Sequence, residues 1–223
     1  MNEENINSHI LFGMSGHDVV TTIANGKVLM ENRQLTGVDE EALMAKIREG
    51  AATLVLEEYE HAKARGAHIL AEIVGYGTNA DGSHITQPER ETMAVAMRLA
   101  LADAGLAPEA IGYVSAHGTA TDRGDIAESQ ATADVFGHAM PISSMKSYLG
   151  HSLGACGAIE AWWAIEMMRR GWFAPTLNLS APDPACAELD HLAGEGRNID
   201  TEYVVSNNFA FGGINTSLVL RRA

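Results

Sequence analysis

From about residue 50 onward, short apolar runs alternate with stretches in which apolar residues recur every three or four positions. Thr53–Glu57 and His68–Tyr76 are β-rich and predict strands, with a short helix around Tyr59–Arg65 between them. Arg90–Ala104 sets Met93, Ala96, Met97, Ala100 and Leu101 at helical spacing, which predicts a helix with one face on a core. Ile111–Ser115 predicts a buried strand, Asp125–Phe136 the next helix, and Pro141–Ser144 another strand with Lys146 at its end. Leu153–Arg170 predicts a helix apolar almost all round, of the kind that lies between layers. Tyr203–Asn207 and Ile214–Leu220 predict a strand pair around a Phe-Ala-Phe-Gly-Gly loop. Strands alternating with helices predict an α/β layered fold.

Residues 1–50 carry a different pattern. Within Asp18–Met30, two β-rich runs flank Asn25-Gly26, the dipeptide that favours a tight hairpin turn. Asp39-Glu40-Glu41 then places acids where a helix running to about Glu49 would begin, on the favourable end of its dipole. The pattern changes between Ala45 and Ala52, which divides the chain into 1–50 and 51–223.

Composition narrows the class. With 223 residues, 46% of them hydrophobic and 20% charged, the chain has the usage of a globular protein. A formal net charge of −14 repels phosphate backbones and anionic lipid, so neither nucleic acid nor a membrane surface is an expected partner. The two cysteines, Cys156 and Cys186, form neither a disulfide framework nor a zinc pattern, and the acidic N-terminus lacks the features of a secretory signal. The longest apolar stretch, Ala155–Met168, is broken by Glu160 and Glu166 and is shorter than the roughly 20 residues a membrane span needs. A cytoplasmic protein is expected.

Three loops carry the candidate chemistry. Ala116-His117-Gly118-Thr119-Ala120-Thr121 and the Lys146–Ala155 stretch each follow an apolar run and present a histidine, His117 or His151, among small residues; Asn208–Gly213 adds backbone N–H groups. Either histidine alone is consistent with an ordinary loop residue. Converging with such amides, two imidazoles would polarise a carbonyl and stabilise an enolate or oxyanion. A nearby ammonium disfavours imidazolium, so Lys146 is expected to keep His151 neutral. Glu160, on an apolar helix, needs a partner, and Lys146 is the natural one. Ser143-x-x-Lys146 has the spacing of a serine acyl-enzyme pair without its accompanying elements, no nucleotide-binding loop occurs, and the remaining histidines form no metal array, so no metal and no cofactor is expected.

These motifs, in this order, resemble the C-terminal half of a β-ketoacyl-[acyl-carrier-protein] synthase, the condensing enzyme of fatty acid and polyketide synthesis. The resemblance runs almost continuously from about Gly50 to Ala223. It implies one half of a thiolase-like fold, with a mixed sheet and helices on both faces, and an acyltransferase reaction: decarboxylative Claisen condensation of acyl and malonyl thioesters. His117 and His151 match the histidines that hydrogen-bond the malonyl thioester carbonyl, Lys146 the lysine five residues before the second histidine, and Glu160 the acid nine residues after it. Thr119 and Thr121 match hydroxyls that contact the pantetheine arm. Phe211, with Gly212 after it, matches the aromatic gate whose backbone N–H helps form the oxyanion hole, and Asp125 and Glu128 match carboxylates that brace the histidine loop. Acyl carrier protein is the implied partner.

The family's acyl-carrying cysteine belongs to an N-terminal half that these residues do not match. Cys186 lies in a Pro-Asp-Pro-Ala-Cys loop, and Cys156 is expected several residues inside an apolar helix, a poor setting for a thiolate. The isolated chain is therefore expected to be inactive in condensation. The alternative is a non-catalytic interaction fragment that self-associates or pairs with a cysteine-bearing chain, since the small-residue helix Leu153–Met168 would otherwise expose an apolar face. Residues 1–50 resemble the C-terminal tail of a metal-dependent amidohydrolase, whose metal ligands lie upstream of such a tail. They are read either as part of a chimera or as an unusual N-terminal extension.

Overall fold

The computed structural model describes residues 54–84 and 86–223, together with the strand backbone at 22–24, 27–31 and 34–35. The chain divides into two compact units, Met1–Ala51 and Ala52–Ala223. In the first, β1 (Thr22–Ala24) pairs antiparallel with β2 (Lys27–Glu31), Ala24 opposite Lys27, so the two strands flank the Asn-Gly dipeptide. A third strand, β3 (Gln34–Leu35), extends the sheet from β2. The helix expected at 39–49 lies outside the described residues.

The second unit is built on a six-stranded mixed sheet in the order β4-β11-β10-β5-β6-β8. Its strands are β4 (Ala71–Ala80), β5 (Ile111–Ser115), β6 (Pro141–Ser143), β8 (Asp190–His191), β10 (Tyr203–Ala210) and β11 (Ile214–Arg222). β10, β5, β6 and β8 run parallel, and β11 is antiparallel to both neighbours. The helices are α1 (Tyr59–Ala64), α2 (Arg90–Ala104), α3 (Asp122–Phe136), the short α4 (Lys146–Leu149) and α5 (Cys156–Arg170). β7 (Trp172–Phe173) and β9 (Arg197–Asn198) make a separate two-stranded ladder.

Successive residues of a strand point to opposite faces, and the strands exploit this to feed two cores. Val205 and Phe209 of β10 and Val114 of β5 join Met93, Met97 and Ala100 of α2 and Ala127 and Ala131 of α3 on one face. Val204 of β10 and Tyr113 of β5 meet Ala161, Ala164, Met167 and Met168 of α5 on the other. Each large apolar side chain so buried stabilises by about 1.5–3 kcal/mol. A sheet with helices on both faces is the α/β architecture that the residue pattern predicts.

Several boundaries differ from the sequence reading for physical reasons. Residues 54–57 are not a strand: Val55 and Leu56 are exposed and no neighbouring strand offers them hydrogen bonds within the described residues. β4 begins later and runs four residues further than expected because β11 pairs with it along its whole length. α3 begins at Asp122, three residues earlier than its apolar pattern. α5 begins at Cys156 after a 3-10 turn at Leu153–Ala155, so Cys156 is the first residue of the helix rather than deep within it. Nor is this helix an exposed apolar face: Ala161, Ala164, Met167 and Met168 pack into the core on the sheet and Ile159 is buried as well, leaving Trp162 as its exposed large apolar residue, with Leu153 exposed in the turn before it.

α2 lies unusually close to β4. A Cβ on Gly77 would stand 2.0 Å from the Ala96 carbonyl oxygen, and one on Gly75 would stand 2.3 Å from that of Ala100. Because backbone atoms cannot rotate away, Gly77→Val should force α2 off the sheet and lower the unfolding free energy by about 1–3 kcal/mol or more. Urea denaturation with an unchanged midpoint would refute this packing.

Candidate functional site

Parallel β5, β6 and β10 bring their C-terminal ends to one edge of the sheet, where open α/β sheets present ligand-binding loops. His117 follows β5 by two residues, Lys146 opens α4 just after β6, and His151 follows α4 by two residues. Phe209 lies near the end of β10, with its ring 6.1 Å from that of His117.

The His117 loop is held from two sides. Glu128, on α3, accepts the backbone N–H groups of His117 and Gly118, each at 2.8 Å. Ser144 Oγ donates to the Gly118 carbonyl at 2.8 Å, and a Cβ on Gly118 would come within 2.6 Å of the Ser144 Cβ. With φ at +39° as well, position 118 requires glycine.

Lys146 is almost fully enclosed. Its Nζ donates to Glu160 Oε1 at 2.5 Å and lies 3.1 Å from His117 Nδ1; the Lys146 and Glu160 side chains are 5% and 3% exposed. Sequence proximity sets Lys146 against His151, but the structure seats it directly on His117 and leaves His151 only in its field. The fold decides this: α4 turns the chain so that the lysine points inward to α5 while His151 moves to the rim. There the Leu153 N–H donates to His151 Nδ1 at 3.1 Å, and Leu153 has a positive φ of 51°. The two imidazoles are 5.3 Å apart and nearly perpendicular.

In both histidines a donor occupies Nδ1, which makes Nε2–H the proton donor of each neutral ring. Burial, then the Lys146 charge, then the His151 charge hold His117 down to about 3, while the Asn208 side chain, which also bears directly on His117, pulls against the downward shift. Partial desolvation and Lys146 lower His151 as well. Glu160 is pushed up by burial, with Lys146 and Asn208 pulling it back down.

The other residues singled out in the sequence fall as follows. Thr119 and Thr121 pair with each other through their hydroxyls at 3.0 Å and line a cavity of about 480 Å³ with His117, His151 and Phe211. Phe211 is 71% exposed at the tip of the β10–β11 turn. Gly212 beside it has φ +86° and does not line that cavity. Asp125 does not take the amides of His117 and Gly118: burial pushes its carboxyl up, the backbone amides of Ala120, Thr119 and Thr121 pull it down, its Oδ1 is buried without a hydrogen-bond partner, and it lines a second cavity of about 590 Å³. Cys156 is buried, its thiol pushed up by desolvation and donating to Asn208 Oδ1 at 3.0 Å. Among the described residues no cluster of three or more His, Cys, Asp or Glu could hold a metal, and no helix is long and apolar enough to cross a membrane.

Two participants escaped the sequence reading. Ser144 fastens the His117 loop, and Asn208 donates to Glu160 Oε2 at 3.2 Å. Asn208 left a signal: three successive polar residues, Ser206, Asn207 and Asn208, at the centre of the strand-forming Tyr203–Ala210 stretch need partners where the strand is buried.

Residues 70–180 match the family described as the beta-ketoacyl synthase C-terminal domain. Over 179 residues the chain is 46% identical to a 3-oxoacyl-[acyl-carrier-protein] synthase 2 of Coxiella burnetii, covering 78% of this chain and 43% of that protein. It thus spans less than half the length of this curated relative. A beta-ketoacyl synthase from Burkholderia phymatum superposes with a TM-score of 0.74 at 72% identity, covering 75% of this chain and 41% of that one. A type II polyketide ketosynthase, solved in complex with its acyl-carrier protein and bound to a hexaketide, superposes with a TM-score of 0.71 at 37% identity, covering 75% and 42%.

Burial pushes Glu128 up to about 7 from an ordinary 4.5, against the pull of the two amides and Lys146. Stability from this raised group is fully present below the unfolded value and is lost as the pH rises through the folded one. Glu128→Gln should therefore be most destabilising near pH 5. By about pH 8 its deficit against wild type should shrink by on the order of 2–3 kcal/mol. A deficit that stays constant in urea titrations at the two pH values would show that Glu128 is not shifted.

Proposed function

We propose that the chain is the C-terminal domain of a β-ketoacyl synthase and that it holds the carbonyl-polarising part of a decarboxylative condensation site; the match of residues 70–180 to that domain family and the likeness to solved ketosynthases support this. The observation that carries this reading is the pair of imidazoles 5.3 Å apart with Nδ1 occupied in both, so that two Nε2–H donors serve one cavity. A malonyl thioester carbonyl oxygen placed between them would accept both hydrogen bonds. As the bond to the carboxylate breaks, its electron pair passes into the enolate, carbon dioxide leaves, and the two donors stabilise the oxyanion without giving up a proton. Lys146 supports this by keeping His117 neutral, with Glu160 as its counterion.

The enolate carbon would then attack the carbonyl of an acyl thioester, forming the carbon–carbon bond, and collapse of the resulting oxyanion would break the carbon–sulfur bond and release the thiolate that carried the acyl group. The resemblance gives Thr119 and Thr121 the pantetheine arm and gives the Phe211 N–H, with Gly212 allowing the turn, the second oxyanion. Glu128 braces the His117 loop, and Asp125 stands beside it. Acyl carrier protein as the thioester's bearer is supported by the names of the relatives.

Neither cysteine suits the acyl-carrying role: Cys156 is enclosed with a raised thiol, and Cys186 lies in the loop before β8. A cysteine-bearing chain that completes the site, or self-association, fits the exposed Leu149, Leu153, Trp162 and Phe211. For residues 1–50, the amidohydrolase-tail reading rests on the hairpin and on the acidic Asp39-Glu40-Glu41 stretch alone.

Purified protein given malonyl carrier protein should release carbon dioxide slowly. His117→Ala and His151→Ala should each lower the rate by at least about tenfold, given the 10²–10³ that one oxyanion donor supplies in a closed site. β-Ketoacyl product should form only when a cysteine-bearing N-terminal half is added. Equal carbon dioxide release from wild type and both variants would remove the case for this site.

A further inference from the structure

Asn208 stands at the junction of side chains that ends on His117. Its Nδ2 donates to Glu160 Oε2 at 3.2 Å, and its Oδ1 accepts from the Cys156 thiol at 3.0 Å. These neighbours fix the amide's orientation. A carboxylate only accepts, so it must face the NH2 end, and the thiol, which has a proton to give, must face the oxygen. Turning the amide over would set oxygen against oxygen.

Glu160 is 2% exposed and has no solvent to complete its hydrogen bonds. Lys146 takes Oε1 and Asn208 takes Oε2, so both oxygens are satisfied. With one oxygen bare, the carboxylate would lose about 1–3 kcal/mol of solvation and gain freedom to turn away from the lysine. Lys146 Nζ has two side-chain contacts, Glu160 Oε1 at 2.5 Å and His117 Nδ1 at 3.1 Å, so the carboxylate that fixes the ammonium also fixes what meets the imidazole.

We propose that Asn208 is a positioning residue: by holding the second oxygen of Glu160 it orients the first onto Lys146, and so seats the lysine against His117 Nδ1. This rests on the role given to His117 above and adds β10 to the elements that set its geometry. The groups facing Glu160 are Lys146 from α4, Asn208 from β10, Tyr113 from β5 and Cys156 one turn earlier on α5. Lys146 is the one cation among them, and only it and Asn208 donate hydrogen bonds to the carboxylate. The Asn208 bond favours the ionised form, and its loss favours the protonated one. Cys156 is thereby given a use other than nucleophile, as the donor that keeps the amide from turning over.

Carboxyl-13C NMR on the full chain with labelled glutamate, with the Glu160 signal assigned through Glu160→Gln, tests this. Asn208→Ala and Asn208→Ser, both too short to reach Glu160, should raise its proton affinity by about three- to tenfold, a shift of about 0.5–1 pH unit. Cys156→Ala should raise it less, because the amide keeps its carboxylate contact. A Glu160 midpoint unchanged in either folded Asn208 variant overturns the proposal. Malonyl decarboxylation by the same samples reads the parent function separately: a wild type that releases no carbon dioxide overturns the role of His117, while the Glu160 midpoint still decides the role of Asn208.

Discussion

The buried contact between Lys146 and Glu160 sets the terms for the rest of the site. Both side chains are almost wholly out of water, where an unpaired charge is costly and removal of one partner typically costs about 3–5 kcal/mol. The pair contributes little net stability against an apolar substitute. What it supplies is a fixed ammonium beside an imidazole. That ammonium occupies His117 Nδ1 and leaves Nε2–H as the donor, so the enclosed ion pair sets the tautomer of the first histidine, while burial first and the lysine second keep the ring uncharged.

Satisfying that pair constrains the fold around it. Lys146 must open a helix directly after β6, Glu160 must lie on the sheet-facing side of α5, and α5 must be seated on Tyr113 and Val204. On the opposite face, α3 carries Glu128 to the amides of the His117 loop, and α2 is drawn tightly onto β4 by two glycines. The two cores therefore grip the same loop from opposite sides of the sheet. His151 is held more lightly, by one amide on a loop whose next apolar residue, Leu153, is 66% exposed. A rigid imidazole beside a looser one at the cavity rim suits a site in which the outer donor adjusts to an incoming carbonyl.

Periodicity made much of this legible. α2 and β5 lie where the apolar spacing puts them, because both bury one regular face. Leu54–Leu56 misled because a β-rich run is a strand only when another strand pairs with it, and pairing is not a local property. The start of α5 misled for a related reason: Leu153–Ala155 is apolar enough for a helix, yet the turn that frees His151 winds it as 3-10. Residue types marked His117, His151, Lys146 and Glu160. They could not reveal which histidine the lysine touches, because Lys146 and His151 are neighbours in sequence while Lys146 and His117 are brought together by two parallel strands. Asp125 and Glu128 look equivalent on one helix, and only their direction assigns the amides of His117 and Gly118 to Glu128 while Asp125 faces those of Thr119, Ala120 and Thr121.

The central claim is that Lys146, fixed by Glu160, holds His117 neutral with its proton on Nε2. Imidazole-15N NMR of the wild-type chain across a pH series reads that state directly. The account predicts a single Nε2–H tautomer for His117 that remains unprotonated down to about pH 4, in keeping with a value held near 3 by burial and the lysine. Protonation of His117 between about pH 6 and 7, near the value of a free imidazole, or a proton resident on Nδ1, would contradict it.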